Sequence, residues 1–491
     1  MGRADVRAFS VSSSLAKTIF AKAKPYGQRT AIKTSRQEFS YQQLREIVVR
    51  HAHRLRSQGV SQSSLIAIDA DHIISNIALA LASSLIGCRW VHCSKAAFEN
   101  EALEITHFVC DTSKPYPFAP NVLRLDPSWN AAPTVRVDLN SFSGYASPKS
   151  IWSIGQSSGT TGMAKFMPIS AAASEARMDY PFDTPEGEPI RGVSLAHPLS
   201  AIGLYAILRF FMRGGTLMLD MNFDFLSNAG VNVVVGSPVQ LDKLRRNSTK
   251  DGNVKIRSAV VTGGATSPAL FEGLLRRFEI VRNAYGSTEA GLMSSRIIDQ
   301  ATIADRSAGL PAPGAKIQIV DSGDISLPAN EEGIVRLQTP GQVHEYIGEP
   351  ETTAETFRHG WFYPGDLGYL DEAGELHVTG RVKDHLNLGG VKLNAELMDQ
   401  LIQVTPGVRD GICFAQSEFG ATNELAILLL LEPNADQDGV IAHMRDSILE
   451  TFGPARLPKR IYVGSTVPRN ANGKVMRHLG SDAVQGLIPI T

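Results

Sequence analysis

The sequence predicts an α/β protein. A large N-terminal domain of mixed and parallel sheets, flanked by helices, runs on into a β-rich subdomain, and a small α+β domain closes the chain. Three observations predict this. The 491 residues exceed one ordinary hydrophobic core. Short apolar runs alternate with helical stretches, as parallel strands and their crossovers require. The texture then changes twice, first near Gly309 and again after Gly380-Arg381-Val382-Lys383-Asp384.

The elements follow in order. Leu65–Ala70 is apolar enough for a buried strand, and Ile73–Gly87 continues with helical character. Leu217–Leu219, Val233–Val235 and Ala259–Val261 are further buried strands, with helices at Pro238–Arg246 and Pro268–Phe278. Ligands of such sheets bind beyond the carboxyl ends of the strands. From Gly309 onward Lys316–Val320, Gly333–Leu337 and Leu376–Val378 are short β pieces between Pro, Gly and Asp, which predicts an antiparallel or barrel-like subdomain. The last segment offers a helix at Asn394–Gln403, strands at Val408–Gln416 and Glu424–Leu431, and a helix at Gly439–Thr451. The expected division is therefore residues 1–382 and 383–491.

Composition narrows the function. Lys and Arg (48) nearly cancel Asp and Glu (49), so no bulk field favours nucleic acid or an anionic membrane. The four cysteines, Cys88, Cys93, Cys110 and Cys413, have no metal-ligand spacing and no disulfide framework, which suits a reducing cytoplasm. The start lacks the order of a signal peptide, Val6 stands where a myristoylation signal wants Ser or Thr, and the apolar run Ile73–Ile86 is too short for a bilayer. A cytoplasmic protein without a membrane span is expected.

Four segments carry chemistry. In Ser157-Ser158-Gly159-Thr160-Thr161-Gly162-Met163-Ala164-Lys165, two glycines let consecutive N–H groups converge on an anion, while hydroxyls and a lysine add donors. The spacing is not that of a Walker A loop, and taken alone the segment reads equally as a polar hairpin turn. In Asn283-Ala284-Tyr285-Gly286-Ser287-Thr288-Glu289 a ring can stack on a base and one carboxylate can meet a magnesium ion. A core tyrosine and a solvated glutamate are the plain alternative. In Trp361-Phe362-Tyr363-Pro364-Gly365-Asp366, with Gly380-Arg381 beyond, an aspartate on a turn can accept both ribose hydroxyls, or simply be a turn residue. In Pro468-Arg469-Asn470-Ala471-Asn472-Gly473-Lys474 a lysine follows an Asn-Gly turn, where a solvated surface lysine is the alternative.

In this order the four segments resemble the adenylate-forming, AMP-binding superfamily of acyl- and aryl-CoA synthetases, peptide-synthetase adenylation domains and luciferases. Thr262-Gly263-Gly264-Ala265, Gly309-Leu310-Pro311-Ala312-Pro313-Gly314, Lys392-Leu393-Asn394-Ala395-Glu396 and Tyr41-Gln42-Gln43-Leu44 extend the resemblance over nearly the whole chain. It implies that a carboxylic acid is activated as acyl-AMP with release of pyrophosphate, and that the acyl group then passes to a thiol, coenzyme A foremost. Ser157, Ser158, Gly159, Thr160, Thr161, Gly162 and Lys165 would hold the pyrophosphate portion of ATP. Gly263, Gly264, Ala265 and Tyr285 would enclose the adenine, with Asn283 at its amine and Gly286 and Ser287 beside it. Thr288 would contact the α-phosphate, Glu289 would hold Mg2+, and Asp366 with Arg381 would bind the ribose. Lys474 would reach the carboxylate and α-phosphate from a mobile small domain that turns about Lys383 and presents Gly389 and Gly390 to the thiol. Leu204, Val235, Gly264 and Gly286 would line the acyl pocket.

The sequence departs from that pattern in places. Phe166 follows Lys165 where the family commonly has glycine, and Pro364 replaces a Ser or Thr. After Pro198-Leu199 the usual aromatic-His pair is replaced by Ser200 and Ala201; His197 comes too early to substitute and reads as a core or loop residue. The Asp with which amino-acid-activating domains grip an ammonium is absent from this region, which disfavours an amino acid substrate. A phosphopantetheinyl carrier protein is the alternative acceptor. An oxygenase acting on the adenylate, and a non-catalytic nucleotide binder, are the readings from other classes; the presence of Lys474, Glu289 and Asp366 argues against the last.

Overall fold

In a computed structural model of the chain, the described residues are 14–111, 121–126, 129, 138–158, 164–247, 255–303, 305, 307–382, 385–388, 391–416, 423–469 and 475–490. Two large sheets organise the first part. A six-stranded sheet runs in the order Val122–Leu125, His107–Asp111, Leu65–Asp69, Arg89–His92, Ile151–Ser158, Ala164–Ser170. Its pairs are parallel up to Ile151–Ser158, which forms an antiparallel hairpin with Ala164–Ser170.

The second sheet has fifteen strands among the described residues. Its parallel part pairs Thr30–Lys33, Thr216–Met218, Arg191–Ser194, Val233–Gly236, Ile256–Thr262 and Phe278–Ser287 in turn. Among them Val233–Gly236 is buried along its whole length, as a central strand covered by crossover helices is expected to be. Helices Tyr41–Ser57, Ile73–Ile86 and Ala201–Met212 pack into one apolar cluster with Ile66 and Trp152 of the first sheet and Val233, Val260 and Ala284 of the second. Tyr41–Ser57 begins in a capping box between Ser40 and Gln43, and the Tyr41 hydroxyl donates to the Gly215 carbonyl at 2.6 Å.

Beyond Ser287 the pairing turns antiparallel: Gly291–Ile298, Ser307–Pro311, Leu376–Arg381, Asp366–Leu370 and Gly333–Gln338 follow one another across the same sheet. The β-rich segment is thus antiparallel, and the barrel alternative is corrected. Ser307–Pro311 pairs with Gly291–Ile298 on one side and Leu376–Arg381 on the other, so the segment extends the sheet instead of closing on itself. The helix expected over Pro268–Phe278 ends at Leu275, because Phe278 is fully buried as the first residue of a strand aligned with Ile256.

Residues from 385 onward carry a separate hydrophobic cluster around Leu393, Met398, Ile427 and Ile461. Its three-stranded sheet pairs Val408–Gln416 with Glu424–Leu431 and then Arg460–Val463, under helices Ala395–Val404 and Gln437–Phe452. Asn394 caps the first of these helices and donates its side-chain amide to the Thr379 carbonyl. No helix among the described residues is long and apolar enough to cross a membrane.

Candidate active site

The candidate residues gather where the parallel strands of both sheets end. Strand Ile256–Thr262 runs out into Gly263, Gly264 and Ala265, all exposed. Gly263 has φ +88°, and a Cβ there would lie 2.8 Å from Ile202 Cδ1, so the backbone must be bare at this edge. The neighbouring strand Phe278–Ser287 carries Asn283, Ala284, Tyr285, Gly286 and Ser287, with a register shift between Tyr285 and Gly286. A Cβ on Gly286 would stand 2.5 Å from the Gly291 carbonyl oxygen, so the turn that follows closes only over a glycine. That turn holds Thr288 and Glu289.

At one end of the site Tyr285 donates its hydroxyl to Asp366, and Arg381 Nε donates to the other Asp366 oxygen at 3.0 Å. Asp366 and Arg381 are register partners on adjacent strands, and Gly365 takes φ +79° in the turn leading into Asp366. Asp366 is only 3% exposed. Burial, and then the Asp366 charge, push the Tyr285 phenol well above its ordinary pKa, so it stays a donor.

At the other end the glycine-rich hairpin meets the turn. Gly155 lies so close that a Cβ on it would be 3.1 Å from Thr288 Cγ2. Ser157 and Lys165 are opposed across the hairpin. Lys165 Nζ sits 4.8 Å from the centre of the Tyr346 ring, whose hydroxyl donates to Glu289 Oε1 at 3.0 Å. Burial, and next the Glu289 charge, raise the Tyr346 phenol above its ordinary value. Glu289 is 9% exposed, and among the described residues no cation pairs with it. The Val343 N–H donates to its carbonyl at 2.8 Å.

Sequence reasoning missed two participants. Tyr346 lies outside every glycine-rich segment. Arg177, at the end of helix Ala171–Arg177, donates to the main-chain carbonyls of Thr288 (2.9 Å), Glu289 (3.2 Å) and Gly341 (2.8 Å). Only its place directly after the hairpin could have drawn attention to it.

The residues expected to line an acyl pocket differ in burial. Leu204 (2% exposed) and Val235 (4%) pack inside the main apolar cluster, while Gly264 lies exposed and Gly286 half-buried. His197 is an exposed loop residue, its ring stacked on His92 at 4.4 Å. Ser200 is accounted for locally: its hydroxyl caps helix Ala201–Met212 through the Gly203 N–H at 3.2 Å. Gly159, Thr160, Thr161, Gly162, Lys383, Gly389, Gly390 and Lys474 lie outside the described residues, as does the Ser158 side chain. Strands His385–Leu388 and Val391–Asn394, which flank the glycine pair, are antiparallel partners.

Residues 120–347 match the AMP-binding enzyme family. A probable CoA ligase of Humulus lupulus is 29% identical over 204 residues, which is 40% of this chain and 38% of that protein. A fatty acid–[acyl-carrier-protein] ligase, ScoC, of Streptomyces coeruleorubidus is 26% identical over 289 residues, 56% of this chain and 55% of that one. The chain therefore spans about half the length, or less, of these curated relatives. Among solved structures, the o-succinylbenzoate coenzyme A synthetase of Bacillus subtilis in complex with AMP superposes with a TM-score of 0.81 over 94% of this chain and 97% of that one, at 20% identity, a likeness of fold.

Proposed function

We propose that the chain, which the AMP-binding enzyme family matches over residues 120–347, is an ATP-dependent acid–thiol ligase. It joins a carboxylic acid to AMP, releases pyrophosphate, and passes the acyl group to a thiol, coenzyme A foremost. The observation that carries this reading is that two carboxylates along one sheet are held in different ways. Asp366 is paired with Arg381 and capped by Tyr285, while Glu289 stands with one phenol and no cation among the described residues.

In this reading Asp366 accepts the ribose hydroxyls, Arg381 keeps its charge in place, and Tyr285 with Gly263, Gly264 and Ala265 encloses the base. The fit to a magnesium ion is favourable: Glu289 is a nearly buried carboxylate that receives one donated hydrogen bond among the described residues, leaving acceptor capacity for a hard cation. Bound there, the ion would neutralise charge on the phosphate oxygens. Thr288 meets the α-phosphate, Lys165 and the hairpin hold the leaving pyrophosphate, and Lys474 supplies a point charge between carboxylate and α-phosphorus. A carboxylate is a weak nucleophile repelled by a triphosphate, so alignment and charge stabilisation constitute the catalysis.

The proposal extends to the organisation of the chain. Residues 1–382 bind acid and ATP, and residues 383–491 turn about Lys383, exchanging Lys474 for the thiol-facing glycines 389 and 390. A cytoplasmic setting suits the four buried cysteines, none of which forms a disulfide among the described residues. Similarity to a carrier-protein ligase supports a second acceptor, a phosphopantetheinyl carrier. Carboxylate-dependent ATP–pyrophosphate exchange over fatty, aryl and amino acids, for wild type and Lys474→Ala, tests the reading. Exchange with one acid class, abolished in the variant, is expected. Absence of exchange with every acid, despite measurable ATP binding, would overturn it. Offering coenzyme A and a carrier protein in turn decides the acceptor.

A further inference from the structure

Arg177 is 4% exposed, and no carboxylate pairs with it among the described residues. Its charge is met by three main-chain carbonyls and by the face of Tyr205, whose ring centre lies 5.3 Å from the guanidinium carbon. Nη1 is buried with no hydrogen-bond partner among the described residues. A cation buried without a counter-ion is costly, and an apolar side chain of the same length would fill the space more cheaply. The stem fits closely: Cβ atoms built on Gly291 and Gly341 would lie 3.2 Å and 2.7 Å from Arg177 Cγ.

Two of the three carbonyls it gathers are those of the turn that carries Thr288 and Glu289. A trans peptide is planar, so a carbonyl held toward Arg177 aims the N–H of the same peptide the opposite way. Arg177 therefore sets the orientation of the peptides after Thr288 and after Glu289; the second of these N–H groups is received by Ser287 Oγ at 3.2 Å. The helix bearing Arg177 follows hairpin strand Ala164–Ser170 directly, so one side chain ties the hairpin to the turn.

We propose that Arg177 is a positioning residue for the phosphate and metal end of the site. It touches no substrate, and it acts by fixing the Thr288–Glu289 turn against the hairpin. This rests on the nucleotide reading given above, so its test is chosen to stand apart from acid activation. Binding of MgATP and of adenosine is measured by calorimetry for wild type, Arg177→Met and Arg177→Lys. Arg177→Lys keeps the charge but cannot span the same carbonyls.

The expected result for Arg177→Met is MgATP affinity weakened about tenfold or more, with adenosine affinity within about twofold, because the Tyr285–Asp366–Arg381 end is untouched. Arg177→Lys falls between. In the exchange assay with an active acid, Arg177→Lys raises the magnesium concentration needed for half-maximal rate and leaves KM for the acid unchanged. Equal weakening of MgATP and adenosine, or no weakening of either, would overturn the proposal, as would a KM shift for the acid as large as that for MgATP. Should Arg177→Met not fold, the Arg177→Lys ratio of MgATP to adenosine affinity decides alone. Failure of wild type to exchange with any acid counts against the ligase reading and leaves the binding ratio intact.

Discussion

Asp366 and Glu289 lie along one sheet, 3% and 9% exposed, and they are held in opposite ways. Asp366 has a guanidinium across the strand pair and a phenol above it, so its charge is balanced within the fold. Glu289 has a phenol and the carbonyl network of its own turn, with no paired cation among the described residues. The difference separates the roles proposed for the two carboxylates. In that proposal Asp366 serves the architecture as much as a ligand, and Glu289 would receive a positive charge from outside.

The largest expected effect is on stability. Asp366→Ala removes the carboxylate that accepts from both Arg381 and the Tyr285 hydroxyl. It should cost about 3 kcal/mol in urea unfolding, the lower part of the range for a broken buried pair because Arg381 is one-third open to water. Glu289→Gln should leave unfolding within about 0.5 kcal/mol yet lower magnesium-dependent ATP–pyrophosphate exchange about a hundredfold or more. If Glu289→Gln proves the more destabilising of the two, the contrast drawn here collapses.

Tyr346→Phe sharpens the comparison, since it removes the one hydroxyl that donates to Glu289 among the described residues while keeping the ring beneath Lys165. About a tenfold loss at limiting magnesium is expected, shrinking as magnesium is raised. A loss independent of magnesium would assign the phenol a different role.

The smallest effect supplies a control remote from the site. His51, fully buried on helix Tyr41–Ser57, escapes its charge instead of balancing it. Burial holds its pKa down to about 4, and Nδ1 donates to the Ile47 carbonyl at 2.8 Å. The folded value lies below the unfolded one near 6.5, so the unfolded chain binds the extra proton. Stability is full above about pH 6.5 and falls as pH drops toward 4. His51→Leu should flatten that limb by on the order of 1 kcal/mol between pH 7.5 and 5.5. An unchanged acid limb would remove His51 from the account.

Legibility in the sequence followed the range of the interactions involved. Strands Lys316–Val320, Val408–Gln416 and Glu424–Leu431 and helix Pro238–Arg246 could be read to the residue, because apolar runs between strong turn formers leave little choice. Helix Pro268–Leu275 was overextended because Phe278 suits a helix face as well as a strand. Its fate rests on the pairing with Ile256, which is invisible locally. In the site, Tyr285, Asp366 and Arg381 were legible as motif members. Their mutual hydrogen bonds were not, since they depend on a strand register. Tyr346 and Arg177 were missed for the same reason: a tyrosine and an arginine acquire meaning only from the carboxylate and carbonyls that the fold brings to them.

Strand Leu376–Arg381 has one more consequence. Its last residue grips Asp366, its Thr379 carbonyl receives Asn394 from the C-terminal part, and the chain leaves it two positions before Lys383. In the proposed reading the strand is the fixed leaf of the hinge and also part of the nucleotide's seat. A bound ribose would therefore stiffen the mounting from which the small domain swings, and the timing of that swing would follow nucleotide occupancy without any separate relay.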